Sequence, residues 1–259
     1  MSALTIAGIV FVCLVFASAV GMIARYRLPH HHLSIDSRDV IKLATAVVGT
    51  LSALALGFLI ASAKTTFEDA QTELRTSTAR VLLLDRVMLH YGPETADARR
   101  LLSKLVEARL QRNWHTPAAM DGVGPQVSED IGIEPVQDQL RALKPSTDAQ
   151  RLLQNRAIEV SGNVAEAHWL VVEQEDESLP FAFLIILVFW LSLLFFTFGL
   201  LSPVNGTVIF VLVSCALSVA GAVFLITDMA HPYLGVIQVS DEPLRNALDR
   251  LSKGKGPAA

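Results

Sequence analysis

Four uncharged apolar runs set the layout of this chain, at residues 4–24, 43–63, 179–201 and 208–226. At about 1.5 Å per residue, a helix of about 20 residues matches the thickness of a bilayer's hydrocarbon core. A helix satisfies its own backbone polar groups, so each run predicts one membrane crossing. The second run, LATAVVGTLSALALGFLIASA, lies between Lys42 and Lys64. Within it Thr45, Gly49, Ala53, Gly57 and Ala61 recur every fourth residue. Positions i and i+4 share a helix face, so the spacing predicts one continuous groove of small side chains. Helices in lipid associate through close backbone approach, and small residues permit it. An alanine-rich membrane helix also carries such residues by chance. The reading adopted is that this helix packs at the centre of the assembly. Thr45, Gly49, Ser52, Ala53, Leu56, Gly57 and Phe58 are its pore-lining or helix-packing candidates. In the fourth run Ser214, Ser218 and Ala222 form a second small face, expected to meet the Gly49/Gly57 groove.

Past Lys64 no glycine or proline intervenes until Gly92 and Pro93, so one helix is predicted from about residue 38 to 91. Phe67, Leu74, Val81 and Met88 fall at intervals of seven, each followed three residues later by Ala70, Ser77, Leu84 and Tyr91. That is an a/d seam, serving either an oligomer or the chain's own bundle. A second soluble helix runs from Pro93 to about Trp114, with an apolar face of Ala98, Leu101, Leu102, Leu105 and Val106. The stretch 115–133 reads as a loop, a short helix lies near 135–144, and Thr147 or Asp148 caps a helix to about Glu173. Leu153, Ala157, Val160, Val164, Ala167 and Val171 give that helix a face able to close on the 67–91 seam.

The fold class is therefore all-α: four transmembrane helices with an extramembrane helical bundle continuous with the second span. Residues 1–63 form a first transmembrane hairpin, 64–178 the bundle, 179–226 a second hairpin and 227–259 a tail whose short helix is capped by Ser240.

Charge narrows the function. The net charge is −4, and no basic tract or aromatic platform is present, which argues against nucleic acid. Both cysteines, Cys13 and Cys215, lie inside spans and form no disulfide framework. The histidines 30–32 sit beside Asp36 and Asp39, but consecutive histidines cannot all ligate one ion, so no metal is assigned. Glu173, Glu175, Asp176 and Glu177 cluster before the third span, as a solvated boundary or a cation-attracting vestibule. No phosphate loop, nucleophile elbow or spaced ligand set appears, so neither enzyme activity nor a cofactor is expected. Orientation by charge is divided. Arg25, Arg27, Arg38 and Lys42 favour a cytoplasmic first connection, with the bundle outside, while Lys64, Arg75 and Arg80 pull the bundle inside.

Four segments carry a resemblance: LSIDSRDVIKLATAVVGTLSALALGFLIASAK (33–64), LDRVMLHYGPE (84–94), FWLSLLFFTFGLLSPVNGTV (189–208) and PYLGVIQVSDEPLRNAL (232–248). They look like the bestrophin-like domain family of bacterial membrane proteins, across nearly the whole chain. Bestrophins proper are oligomeric anion channels whose spans line a central pore. The resemblance implies a bacterial inner-membrane protein with the bundle and both termini in the cytoplasm. Two features of animal bestrophins are missing: no acidic run follows Ile226, and Phe58 is the only aromatic residue of the second span. Calcium gating is accordingly not carried over.

The functional expectation is an oligomeric ion channel, a symmetric homo-oligomeric ring in the lipid bilayer. Its pore is lined by the second span, and it passes inorganic ions, anions rather than cations. The alternative is a non-conducting scaffold or sensor whose bundle binds a partner.

Overall fold

The computed structural model describes residues 2–29, 34–115, 132–174, 181–233 and 235–253. Most of these residues lie in helices: α1 (Ala3–Arg27), α2 (Ile35–Tyr91), α3 (Ala96–His115), α4 (Glu134–Ala142), α5 (Asp148–Gln174), α6 (Phe181–Leu201), α7 (Gly206–Met229) and α8 (Glu242–Lys253). Four of them, α1, α2, α6 and α7, are long and apolar enough to cross a membrane. Local chemistry sets the ends. Ser2, Ser34, Thr147 and Asn205 each accept a backbone N–H of the first turn that follows. Helix α2 stops where Gly92 takes φ 134°, a conformation that side chains disfavour. Thr95 then donates its hydroxyl to the Met88 carbonyl at 2.6 Å, beside the longer 3.4 Å bond that carbonyl accepts from the Gly92 N–H.

The chain folds into two compact units, residues 1–67 with 178–237 and residues 68–177 with 238–259. In the first, α1 packs on both α6 and α7. Its core joins Val10 and Leu14 of α1, Leu59 and Ala63 of α2, Leu187, Leu191 and Phe195 of α6, and Ala216, Val223 and Ile226 of α7. The outer surface is the inverse of a soluble protein's: Leu4, Phe16, Leu54 and Phe210 are 68–74% exposed. Such a continuous apolar exterior requires lipid around it. This is a membrane protein.

The tightest helix contact is one that the small-residue pattern of α2 did not indicate. A Cβ on Gly21 of α1 would run into the Phe196 carbonyl of α6, and one on Gly199 of α6 would run into the Ser18 carbonyl of α1. The two backbones touch through reciprocal glycines, the packing that lipid favours. The pairing expected between Ser214/Ser218 and Gly49 does not form within the chain. Both serines are exposed, and Gly49 instead faces Leu194 of α6. Helix α7 buries Leu212, Ala216, Ala220 and Val223, a row that excludes the two serines.

In the second unit the α2 seam is buried: Leu74, Val81 and Met88 are 1%, 4% and 0% exposed, with Ser77, Leu84 and Tyr91 buried beside them. Phe67 and Ala70 are half-buried. Because α2 is covered on more than one side, Thr78, Asp85 and Val87 are buried as well. Arg80 reaches the Asn163 carbonyl of α5 at 3.1 Å. Arg99 of α3 meets Asp85 at 2.6 Å, with side chains 15% and 9% exposed. Helix α8 packs on α3, burying Leu244, Ala247 and Leu251, and Trp114 donates to the Val239 carbonyl at 2.9 Å.

Candidate functional site

The faces of the second span can be assigned one by one. Ser52 is 2% exposed and spends its hydroxyl on the Val48 carbonyl at 2.8 Å. Leu59 and Ala63 are in the core, and Val48, Ala55 and Leu56 pack against it. Thr45 and Gly49 are half-buried, with the Thr45 hydroxyl bonded to the Ile41 carbonyl at 2.7 Å. Ala53, Gly57 and Phe58 are exposed. Thus Thr45, Ser52 and Leu56 turn toward their own unit, while Ala53, Gly57 and Phe58 turn away from it.

The row of small residues consequently does not hold one face. Each residue of an α-helix turns by about 100°, so a step of four overshoots a full turn by about 40°. From Thr45 to Ala61 the row drifts by about 160°, passing from half-buried (Thr45, Gly49) to open (Ala53, Gly57, Ala61). Between residues 46 and 58 the open side divides by size instead, while Leu43 and Ile60, 70% and 42% exposed, lie along the same line beyond either end. One strip carries Ala46, Thr50, Ala53, Gly57 and Ala61, with the Thr50 hydroxyl on the Val47 carbonyl at 2.8 Å. The adjoining strip carries Val47, Leu51, Leu54 and Phe58, which are 45–74% exposed. A Cβ on Gly57 would have nothing within 4 Å. The small strip is therefore open to another helix or to an aqueous path, and the large strip suits lipid.

Two further features of the first unit escaped sequence reasoning. Arg25 of α1 donates to the Leu201 carbonyl at 2.9 Å, placing a cation on an open carbonyl at the end of α6. Asp228, 2% exposed at the end of α7, accepts the backbone N–H groups of Val236 and Ile237 at 3.0 and 2.7 Å. Gly235 lies so close that a Cβ there would sit 2.6 Å from one carboxylate oxygen. An acidic residue at the end of an apolar run beside a PYLGV segment was the available signal for this clasp.

The remaining candidates divide. Leu74, Val81 and Met88 are spent on the core of the second unit. Glu173 belongs to α5, whereas Glu175, Asp176 and Glu177, like the histidines 30–32, lie outside the described residues. Among the described residues no three His, Cys, Asp or Glu side chains stand close enough to hold a metal ion.

Solved structures share this architecture. Two single-substitution forms of a bacterial bestrophin homologue from Klebsiella pneumoniae superpose with TM-scores of 0.63 and 0.62, at 15% and 16% identity. Each comparison covers 96% of this chain, and 99% and 98% of the other. A further structure, of a membrane protein with a glycine-to-alanine change, gives 0.56 at 16% identity over 95% of this chain and 96% of that one. A comparison with curated proteins gave no match. At these identities the likeness establishes the fold, and membership is carried by the sequence itself. The Bestrophin-like domain model matches residues 12–244, from within α1 to within α8, and this chain belongs to that family.

Proposed function

We propose that this protein forms a symmetric homo-oligomeric ion channel in the bacterial inner membrane, with the second span lining the pore. The observation that carries the reading is the size division on the open side of that span. Ala46, Thr50, Ala53, Gly57 and Ala61 leave a smooth, narrow strip that protomers can share around an axis. The backbone is close to the surface there, and the Thr50 hydroxyl keeps lone pairs for water or ions. Of the other pore candidates, Phe58 stands on the adjoining large strip, about 100° around the helix from Gly57, and faces lipid rather than the axis in this arrangement. Thr45, Gly49, Ser52 and Leu56 would support the pore by packing the helix in place.

Anion conduction is the finer part of the proposal. It rests on kinship with bestrophins and on Lys64, which continues the line of the strip seven residues beyond Gly57. The same kinship supports a cytoplasmic location for the bundle and both termini.

The test is current across a planar bilayer holding the purified protein under a salt gradient. A reproducible current with a defined reversal potential is expected, its sign reporting the anion. Gly57→Leu should abolish that current while leaving the protomer folded, because the protomer has room for the added side chain. A silent bilayer with folded, oligomeric protein would refute the channel and leave the scaffold.

A further inference from the structure

A groove of about 460 Å³ runs along the first unit between α2 and α6. Thr45, Ala46 and Gly49 form one side, Leu194, Phe198 and Leu201 the other, and Lys42 stands at the mouth. The space exists because α2 offers only small residues there. An added Cβ on Gly49 would come no nearer than 3.9 Å to Leu194. A nearly all-carbon lining in a membrane-spanning unit suits a hydrocarbon chain.

The mouth has the opposite character. Arg25 donates to the carbonyl of Leu201, itself a lining residue, so its guanidinium sits at the same end of the groove as Lys42. Arg38 lies one turn before Lys42 on the same helix. The carboxylate facing Lys42 is Asp39, at 2.9 Å, with side chains 64% and 61% exposed. So exposed a pair competes weakly with another anion. Asp36 is the other carboxylate at this helix end, against the cations Arg25, Arg27, Arg38 and Lys42. The end keeps an excess of positive charge where an apolar span meets the interface.

We propose that this groove is a binding site for an anionic phospholipid. One acyl chain lies along Gly49, Leu194 and Phe198, and the phosphate sits between Lys42 and Arg25. Charge selects the occupant. A zwitterionic lipid brings its own ammonium to this basic end, and an anionic one does not. The inference is independent of whether the protein conducts.

The experiment uses the full chain in detergent with two probes of identical acyl chains, dioleoyl phosphatidylglycerol and dioleoyl phosphatidylcholine. Lipid retained per protomer is read by native mass spectrometry, and thermal stability is read in parallel. The expected result is a preference for phosphatidylglycerol of about tenfold or more, the scale for two basic side chains at a lipid surface. Lys42→Gln should erase most of that preference, and Gly49→Leu, which fills the groove, should reduce retention of both lipids. If Gly49→Leu does not elute as folded protein, Thr45→Leu narrows the groove from a half-buried position off the small strip and is read in its place. Equal retention of the two lipids by the wild type would overturn the proposal. So would a preference unchanged in both variants, or full stabilisation by inorganic phosphate alone. A groove-filling variant that changes the oligomer but not lipid retention would show that a second copy covers the groove, and would overturn it too.

Discussion

Removing Asp85 tests whether the second unit is held by a buried charge pair. Arg99 Nε lies 2.6 Å from Asp85 Oδ1, and the two side chains are 15% and 9% exposed. At an effective dielectric of about 20, that separation corresponds to about 6 kcal/mol of attraction. Desolvation of both groups offsets most of it, so the pair adds little compared with two apolar residues. Losing one partner is different, because the other group keeps the desolvation cost that the pair had offset. Asp85→Ala or Arg99→Met should therefore each cost about 3–5 kcal/mol. For a chain of this size that lowers Tm by roughly 10 °C. The combined change, Asp85→Ala with Arg99→Met, should cost less than the sum of the two single changes. The assay is thermal loss of helical ellipticity for the full chain in detergent, with the wild type, both singles and the double run together. Singles that shift Tm by less than about 2 °C, or a double equal to the sum of the singles, would refute the reasoning.

Three other outcomes follow from the geometry. Gly92→Ala forces a side chain into φ 134° and should cost about 1–3 kcal/mol in the same melt, whereas Gly221→Ala, with nothing within 4 Å, should be near neutral. Gly21→Leu or Gly199→Leu should collapse the yield of folded protein in a size-exclusion assay, because the added atoms meet backbone carbonyls that cannot step aside. Asp228→Ala should release the Val236 and Ile237 amides, raising their hydrogen-exchange rates by roughly thirtyfold for about 2 kcal/mol lost. Exchange unchanged in that variant would show that the clasp is not formed in solution.

Kinship is visible in the sequence, since the family model matches residues 12–244 without any coordinates. The single helix Ile35–Tyr91 was legible because glycine and proline are absent from 58 to 91 and Gly49 and Gly57 do not break a membrane helix. The seam of Leu74, Val81 and Met88 was legible because burial along one helix repeats with a fixed period. Thr147 was readable as a cap because an N-cap is chemistry within one turn.

What escaped the sequence involves partners far apart in the chain. Gly21 and Gly199 acquire meaning only when α1 and α6 cross. The same holds for Arg25 with Leu201 and for Asp85 with Arg99. The row from Thr45 to Ala61 was misread as one face because a spacing of four is close to a helical turn but is not one. The error of about 40° per step accumulates until the far end looks away from the near end. By itself, then, the sequence determined the four spans, the long second helix and the family, because periodicity, length and capping are properties of neighbouring residues. Tertiary structure alone decided which side of the second span is open, which glycines touch and which charges are buried, because those depend on the angle at which distant helices meet.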